Sequence, residues 1–171
     1  MKSKLLLMAF FVLPVSVLFA QDNPCPCCTD ENRQFDFWVG EWEAFTTQGL
    51  AGTNSIVIME DSCIIQENWK SAGGNYTGTS YNFYDRTEKK WKQLWIDNQG
   101  GSLELSGNFT DGKMVLHSEE KYSVKNKVHY VDRITWTPNV DGTVRQHWQR
   151  TTDGGKTWTD IFDGTYKPVK Q

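Results

Sequence analysis

Proline is nearly missing from the body of this sequence: between Pro26 and Pro168 only Pro138 occurs. No window holds its apolar residues at helical spacing either. The missing helical period excludes a helical bundle, and the missing proline suits sheet, whose ladders proline cannot serve as a donor. Charge of one sign is also lacking. The chain has 18 basic and 21 acidic residues, a net charge of −3, and no basic run. That argues against nucleic acid and against anionic membrane surfaces as partners. Histidine is scarce, and His117, His129 and His147 stand far apart, so neither metal nor haem is expected and no cofactor is assigned. Gly-x-Ser-x-Gly and His-Glu-x-x-His are absent. Gly154-Gly155-Lys156-Thr157 ends like a phosphate loop, but Arg150 stands where the upstream glycine belongs and a strand follows instead of a helix.

Long apolar runs occur in one place only. Lys2 and Lys4 precede an apolar stretch from Leu5 to Leu18, and Leu18-Phe19-Ala20 offers a cleavage site before Gln21. The stretch is short of the ~20 residues a spanning helix needs, so residues 1–20 read as a cleavable secretion signal. The expected location is periplasmic or secreted, with no membrane span after cleavage. Residues 21–36 then form an N-terminal cysteine-containing segment with a short helix over about 29–35, N-capped by Thr29. Cys25, Cys27, Cys28 and Cys63 are the only cysteines. Export permits disulfides. Adjacent Cα atoms lie only ~3.8 Å apart, too close for an unstrained Cys27–Cys28 pair. The simplest pairing joins Cys28 or Cys27 to Cys63, with Cys28 the preferred partner, and ties this segment to the domain at 37–168.

From residue 37 onward, short β-branched and aromatic segments alternate with turn signals. The strands expected are 37–47, 51–60, 63–71, 76–85, 89–98, 102–110, 113–123, 127–138, 143–152 and 157–168. Gly73-Gly74-Asn75, Gly100-Gly101, Asp111-Gly112, Asp141-Gly142 and Asp153-Gly154-Gly155 supply the turns between several of them. About ten hairpin-joined strands must hide their edges, which an up-and-down antiparallel barrel does best. A two-sheet sandwich is the alternative.

Side chains alternate faces along a strand. Taking the more apolar parity as inward puts all eight tryptophans inside: Trp38, Trp42, Trp69, Trp91, Trp95, Trp136, Trp148 and Trp158. Glu67, Gln93, Asp97, Gln146 and Arg150 fall on the same faces. A dry core would not hold them, since each unpaired buried polar group costs ~1–3 kcal/mol. A barrel of this width can instead enclose a ligand. The candidate ligand-binding set is therefore Glu67, Trp69, Gln93, Trp95, Gln146, Trp148 and Arg150, around a small hydrophobic or amphipathic molecule. Two alternatives stay open. Glu67 and Asp97 are a possible acid/base pair for an enzyme, and a polar network around Arg150 would fit a filled barrel acting through its outer surface.

Two motifs carry resemblances. Thr151-Thr152-Asp153-Gly154-Gly155-Lys156-Thr157-Trp158 resembles the Asp-box hairpin of sialidase-like propellers, which implies a structural turn capped by Asp153, with Gly155 in the turn and Trp158 packed beneath. Phe35-Asp36-Phe37-Trp38-Val39-Gly40-Glu41-Trp42 resembles the Gly-x-Trp start of lipocalins and the wider calycin barrels. Taken with Ser80-Tyr81-Asn82-Phe83-Tyr84-Asp85, Arg133-Ile134-Thr135-Trp136 and Phe162-Asp163-Gly164-Thr165-Tyr166, it resembles a family of exported bacterial proteins of unknown function. The resemblance spans about 29–167 and implies a calycin-like barrel in which Trp38, Gly40 and Trp42 are structural. In lipocalins the tryptophan packs on a basic residue, a part that Arg150 or Lys167 would take here.

Overall fold

A computed structural model describes residues 25–169. The secretion signal expected at 1–20 lies outside the described residues. The chain begins with a four-residue helix, α1 (Asp30–Arg33), followed by a 3-10 turn at Asp36–Trp38. Thr29 caps α1 by accepting from the Asn32 amide at 3.5 Å. Eleven strands follow: β1 (Gly40–Thr46), β2 (Gly49–Met59), β3 (Ile64–Ser71), β4 (Thr77–Asp85), β5 (Lys90–Asp97), β6 (Ser102–Thr110), β7 (Lys113–His117), β8 (Lys121–Ser123), β9 (Val128–Pro138), β10 (Val144–Thr151) and β11 (Thr159–Pro168).

Every pairing is antiparallel, and β1 pairs with β11 while β9 pairs with β10. Ten strands thereby close into a barrel, and no long edge stays open. β8 stands apart and pairs only with the start of β9, from Lys121↔Tyr130 to Ser123↔Val128. The expected single strand 113–123 is thus two strands. The break falls at Ser118, whose Oγ accepts from the Asp132 amide at 2.9 Å. A side chain replaces a backbone acceptor there, and the ladder stops.

The two ends of the barrel differ. Residues 25–39 lie across one end, where Phe35 and Trp38 are fully buried. Phe35 stacks on Trp38 with centroids 5.0 Å apart and meets Trp136 and Trp91 edge-on at 5.2 and 5.6 Å. This aromatic cluster fills the end, and such pairs contribute about 0.5–1.5 kcal/mol each beyond the area they bury. Gly40 carries the chain from this plug into β1 with φ +143°, a conformation reserved for glycine, and the Trp42 indole lies over it. Trp42 Nε1 donates to the Trp38 carbonyl at 2.9 Å, so the Gly-x-Trp start fastens the plug to the wall. Neither of the two basic residues expected there takes the lipocalin part: Lys167 lies over Phe45 and Arg150 over Tyr130.

Two disulfides hold the plug. Cys27 bonds Cys63 in the β2–β3 turn, and Cys28 bonds Cys25. The preferred Cys28–Cys63 pairing is therefore wrong. The Cys28 amide donates to the Cys25 carbonyl at 3.3 Å, a tight turn that brings these two together and leaves them exposed. Cys27, between them, is buried and faces the barrel.

Seven tryptophans point inward or into the plug; Trp158 does not. It lies in the β10–β11 loop, outside the wall, with the Arg133 guanidinium 3.9 Å above its ring. Parity failed there because the loop residue belongs to no ladder. The loop itself is built as the Asp-box resemblance implies. Asp153 accepts from the Thr157 amide at 2.9 Å and from the Thr151 and Thr157 hydroxyls, and Trp158 Nε1 donates to the Gly155 carbonyl.

Candidate functional site

The end opposite the plug opens into a cavity of about 340 Å³. Its wall comes from the later parts of β3, β5 and β10, the starts of β2, β6 and β11, Tyr76 just before β4, and Ile134 of β9. Trp69, Trp95, Trp148 and Phe162 supply ring surface, Ile134 and Leu103 supply aliphatic surface, and Glu67, Gln93 and Gln146 supply polar groups.

Glycines hold the rings flat. A Cβ on Gly52 would stand 2.7 Å from the Trp69 ring, and one on Gly78 would stand 2.1 Å from the Trp95 ring. Gly164 bears the same relation to Phe162, at 2.4 Å. A side chain at these positions would displace the ring, and at Gly52 it would also strike the Lys70 carbonyl oxygen at 2.3 Å. Each ring instead lies against bare backbone with its other face toward the cavity.

A polar belt crosses the wall toward the plugged end. Gln93 Nε2 donates to Asn82 Oδ1 at 2.7 Å, and Asn82 Nδ2 donates to Ser80 Oγ at 3.0 Å. Ser80 Oγ donates to Glu67 Oε2 at 2.7 Å, and Asn54 Nδ2 donates to Glu67 Oε1 at 2.8 Å. Farther round, Tyr166 donates to Gln146 Oε1 at 2.5 Å. Three strands, β2, β4 and β5, thus supply the hydrogen-bond chain that ends on one carboxyl of β3. Glu67 is 5% exposed and, among the described residues, forms no ion pair. Burial pushes its pKa up to about 7, against the pull of the Ser80 and Asn54 bonds. Desolvation of the charged form outweighs two good hydrogen bonds. The same burial, helped by the nearby Glu67, holds the Tyr166 phenol well above its usual value.

Six of the seven residues expected to bind a ligand line this cavity: Glu67, Trp69, Gln93, Trp95, Gln146 and Trp148. Arg150 does not. Its Nε and Nη2 donate to Asp132 at 2.8 and 3.0 Å, and its guanidinium covers Tyr130 near the rim. Asp132 is buried and also accepts from Trp148 Nε1 at 2.9 Å, so Arg150 acts on the cavity only through the carboxylate that holds Trp148. Asp97 stands at the mouth. It accepts from the Gln99 and Gly101 amides at 2.9 and 2.8 Å and from the Tyr76 hydroxyl at 3.1 Å. Those turn bonds lower its pKa, led by the Gly101 amide. Glu67 and Asp97 are thus driven in opposite directions by their surroundings.

Asn54, Ser80, Asn82 and Tyr166 belong to the site and were not expected there. For the first three the only signal in the sequence is a polar parity running through β2 and β4; Tyr166 lies on the aromatic parity of β11 with Phe162. Among the described residues no group of His, Cys, Asp and Glu is placed to hold a metal, and no helix is long and apolar enough to cross a membrane.

The sequence matches no protein-family model, and no curated protein matches it. What the structure supports of the resemblance read from the Gly-x-Trp start is its architecture, a ten-stranded closed antiparallel barrel.

Proposed function

We propose that this protein is an exported binding barrel that holds a small, partly apolar molecule in its aromatic cavity. One observation carries the reading: flat rings of Trp69, Trp95, Trp148 and Phe162 surround a space that also presents the Glu67 carboxyl and the Gln93 and Gln146 amides. Apolar walls with a few oriented polar groups are how small-molecule sites are built, and the volume falls in their range of about 300–1,000 Å³. Trp148 is bonded to Asp132, and Trp69, Trp95 and Phe162 lie against glycine backbone, so the rings are held in place before any ligand arrives, which lowers the ordering cost of binding.

Native mass spectrometry of the protein purified from its own host tests this. A retained small molecule, whose re-addition to stripped protein quenches tryptophan fluorescence, is the expected result. Failure of every member of a panel of fluorescent apolar dyes to bind, with no retained mass, overturns the proposal.

Acid/base catalysis in the same cavity is a second reading, favoured by one feature: a carboxyl raised to about 7 inside a cleft. Loss of turnover in Glu67→Gln, for a retained molecule that the wild type converts, would support it over simple binding.

A further inference from the structure

The rim and the wall assign a sign to the ligand. None of the residues lining the cavity is lysine, arginine or histidine. The guanidinium of Arg150, which follows Trp148 on β10, is held by Asp132. Arg145 is likewise held on the outer face, by Asp163 at 2.7 Å from both Nε and Nη2. An anionic head group entering the cavity would therefore meet no counter-charge and would face Glu67 at close range.

Among the described residues Glu67 itself has no ion-pair partner. Its oxygens accept only from a neutral amide, Asn54, and a neutral hydroxyl, Ser80. A buried carboxylate is costly without a cation. The rings complete the pattern. With one face on Gly52 and Gly78, the Trp69 and Trp95 indoles turn their other faces to the lumen. Those faces carry the negative part of the ring quadrupole, which attracts organic cations. At the mouth, Asp97 adds a further acidic group.

We propose that the cavity selects an alkylammonium compound, its cationic head seated against Glu67 between Trp69 and Trp95 and its apolar chain along Trp148 and Ile134. This rests on the binding reading above and adds the charge of the ligand to it. The head is recognised without a direct donor to Glu67, through charge and ring faces, so quaternary and primary ammonium groups both fit. A neutral head leaves the carboxylate uncompensated, and a carboxylate head adds like-charge repulsion.

The test uses three probes with one chain length: octyltrimethylammonium chloride, 1-octanol and sodium octanoate. Each is titrated by tryptophan fluorescence into the protein at pH 8, where Glu67 carries its charge. The expected result is ammonium binding at least tenfold tighter than octanol, with octanoate weakest. Glu67→Gln is expected to lose at least tenfold for the ammonium and little for octanol. The ranking in the unaltered protein decides the matter even if the variant fails to fold. Equal binding of octanol and the ammonium overturns the cation proposal and leaves the binding barrel standing. Tighter binding of octanoate does the same. No binding of any of the three overturns the cation proposal, and the dye panel then decides the wider reading.

Discussion

Ser80 Oγ lies 2.7 Å from Glu67 Oε2 and also accepts from Asn82 Nδ2 at 3.0 Å. A hydroxyl has one proton, so that proton must point at the carboxyl. The chain Gln93, Asn82, Ser80, Glu67 therefore has a direction, running to the one titratable group in it.

The first prediction is a pH dependence. Glu67 is raised from 4.5 to about 7 on folding, so the folded state holds its proton more tightly than the unfolded chain. Its neutral form is compatible with burial below pH 4.5. Between about pH 4.5 and 7 the unfolded state gives up the proton first, and stability falls by about 3 kcal/mol across that window. Above pH 7 the loss is complete. His117 acts the other way in part of the window, because burial first and Arg133 second depress its pKa. The quantity to measure is accordingly the difference in urea-unfolding free energy between wild type and Glu67→Gln. It is expected to move in favour of the variant from pH 5 to pH 8. Parallel curves would mean that Glu67 does not titrate in the cavity.

Removing the Ser80 hydroxyl gives a second prediction. Ser80→Ala deletes a donor to Glu67 and leaves Asn82 Nδ2 with only the Ile65 carbonyl, at 2.9 Å. Stability at pH 8 should drop by about 1–3 kcal/mol, the cost of an unsatisfied buried group. The drop should be smaller at pH 5, where the carboxyl is protonated. An equal loss at both values would show that Ser80 packs without regulating the charge.

Much of this architecture was legible in the residues. Turn residues marked most hairpins, and tryptophan parity placed Trp69, Trp95 and Trp148 around one space because period-2 alternation survives barrel closure. Legibility failed where the inward face is the polar one. In β4 the inward parity is Gly78, Ser80 and Asn82, while Tyr81 and Phe83 face solvent. A rule that puts apolar residues inside reads such a strand backwards, yet the donors of the Glu67 network come from this strand and from β2. Arg150 failed for a different reason. Its parity is inward, but a long side chain at a rim reaches the nearest buried carboxylate, and Asp132 lies across the ladder from it.

The glycine floors supply a third prediction. Gly78→Ala places a methyl group where the Trp95 ring now lies. The ring must tilt into the lumen, at a cost of about 1–3 kcal/mol for overpacking. Near-UV circular dichroism should change, and affinity for an apolar dye should fall by more than the stability loss alone would suggest. Gly73→Ala, where nothing lies within 4 Å, is the control and should do neither.

Asp132 supplies a fourth. It is buried, and it joins Arg150 to Trp148 through three hydrogen bonds. Asp132→Asn keeps the shape and removes the charge. Arg150 is a third exposed, so water relieves part of its loss, and the expected cost is about 2 kcal/mol rather than the 3–5 of a fully buried broken pair. Trp148 loses a charged acceptor, and its contribution to fluorescence should shift to a less rigid, longer-wavelength emission. An unchanged spectrum would show that Trp148 is fixed by packing alone.

The disulfides supply the last. Cys27–Cys63 closes a span of 36 residues and Cys25–Cys28 one of only 3. Chain-entropy estimates put the stabilisation at about 4 kcal/mol for the longer loop and about 2 for the shorter. The Cys27→Ser/Cys63→Ser variant should therefore lose about twice as much as Cys25→Ser/Cys28→Ser in urea unfolding. The difference is also spatial. Cys27–Cys63 pins the segment that carries Phe35 and Trp38 over the closed end of the barrel, so its loss frees the plug as well as the unfolded chain. Cys25 and Cys28 are exposed, and a mild reductant should open that pair first, leaving the plug seated. If the two variants lose the same amount, the plug is held by its aromatic packing against Trp91 and Trp136, and the longer bridge adds nothing to it.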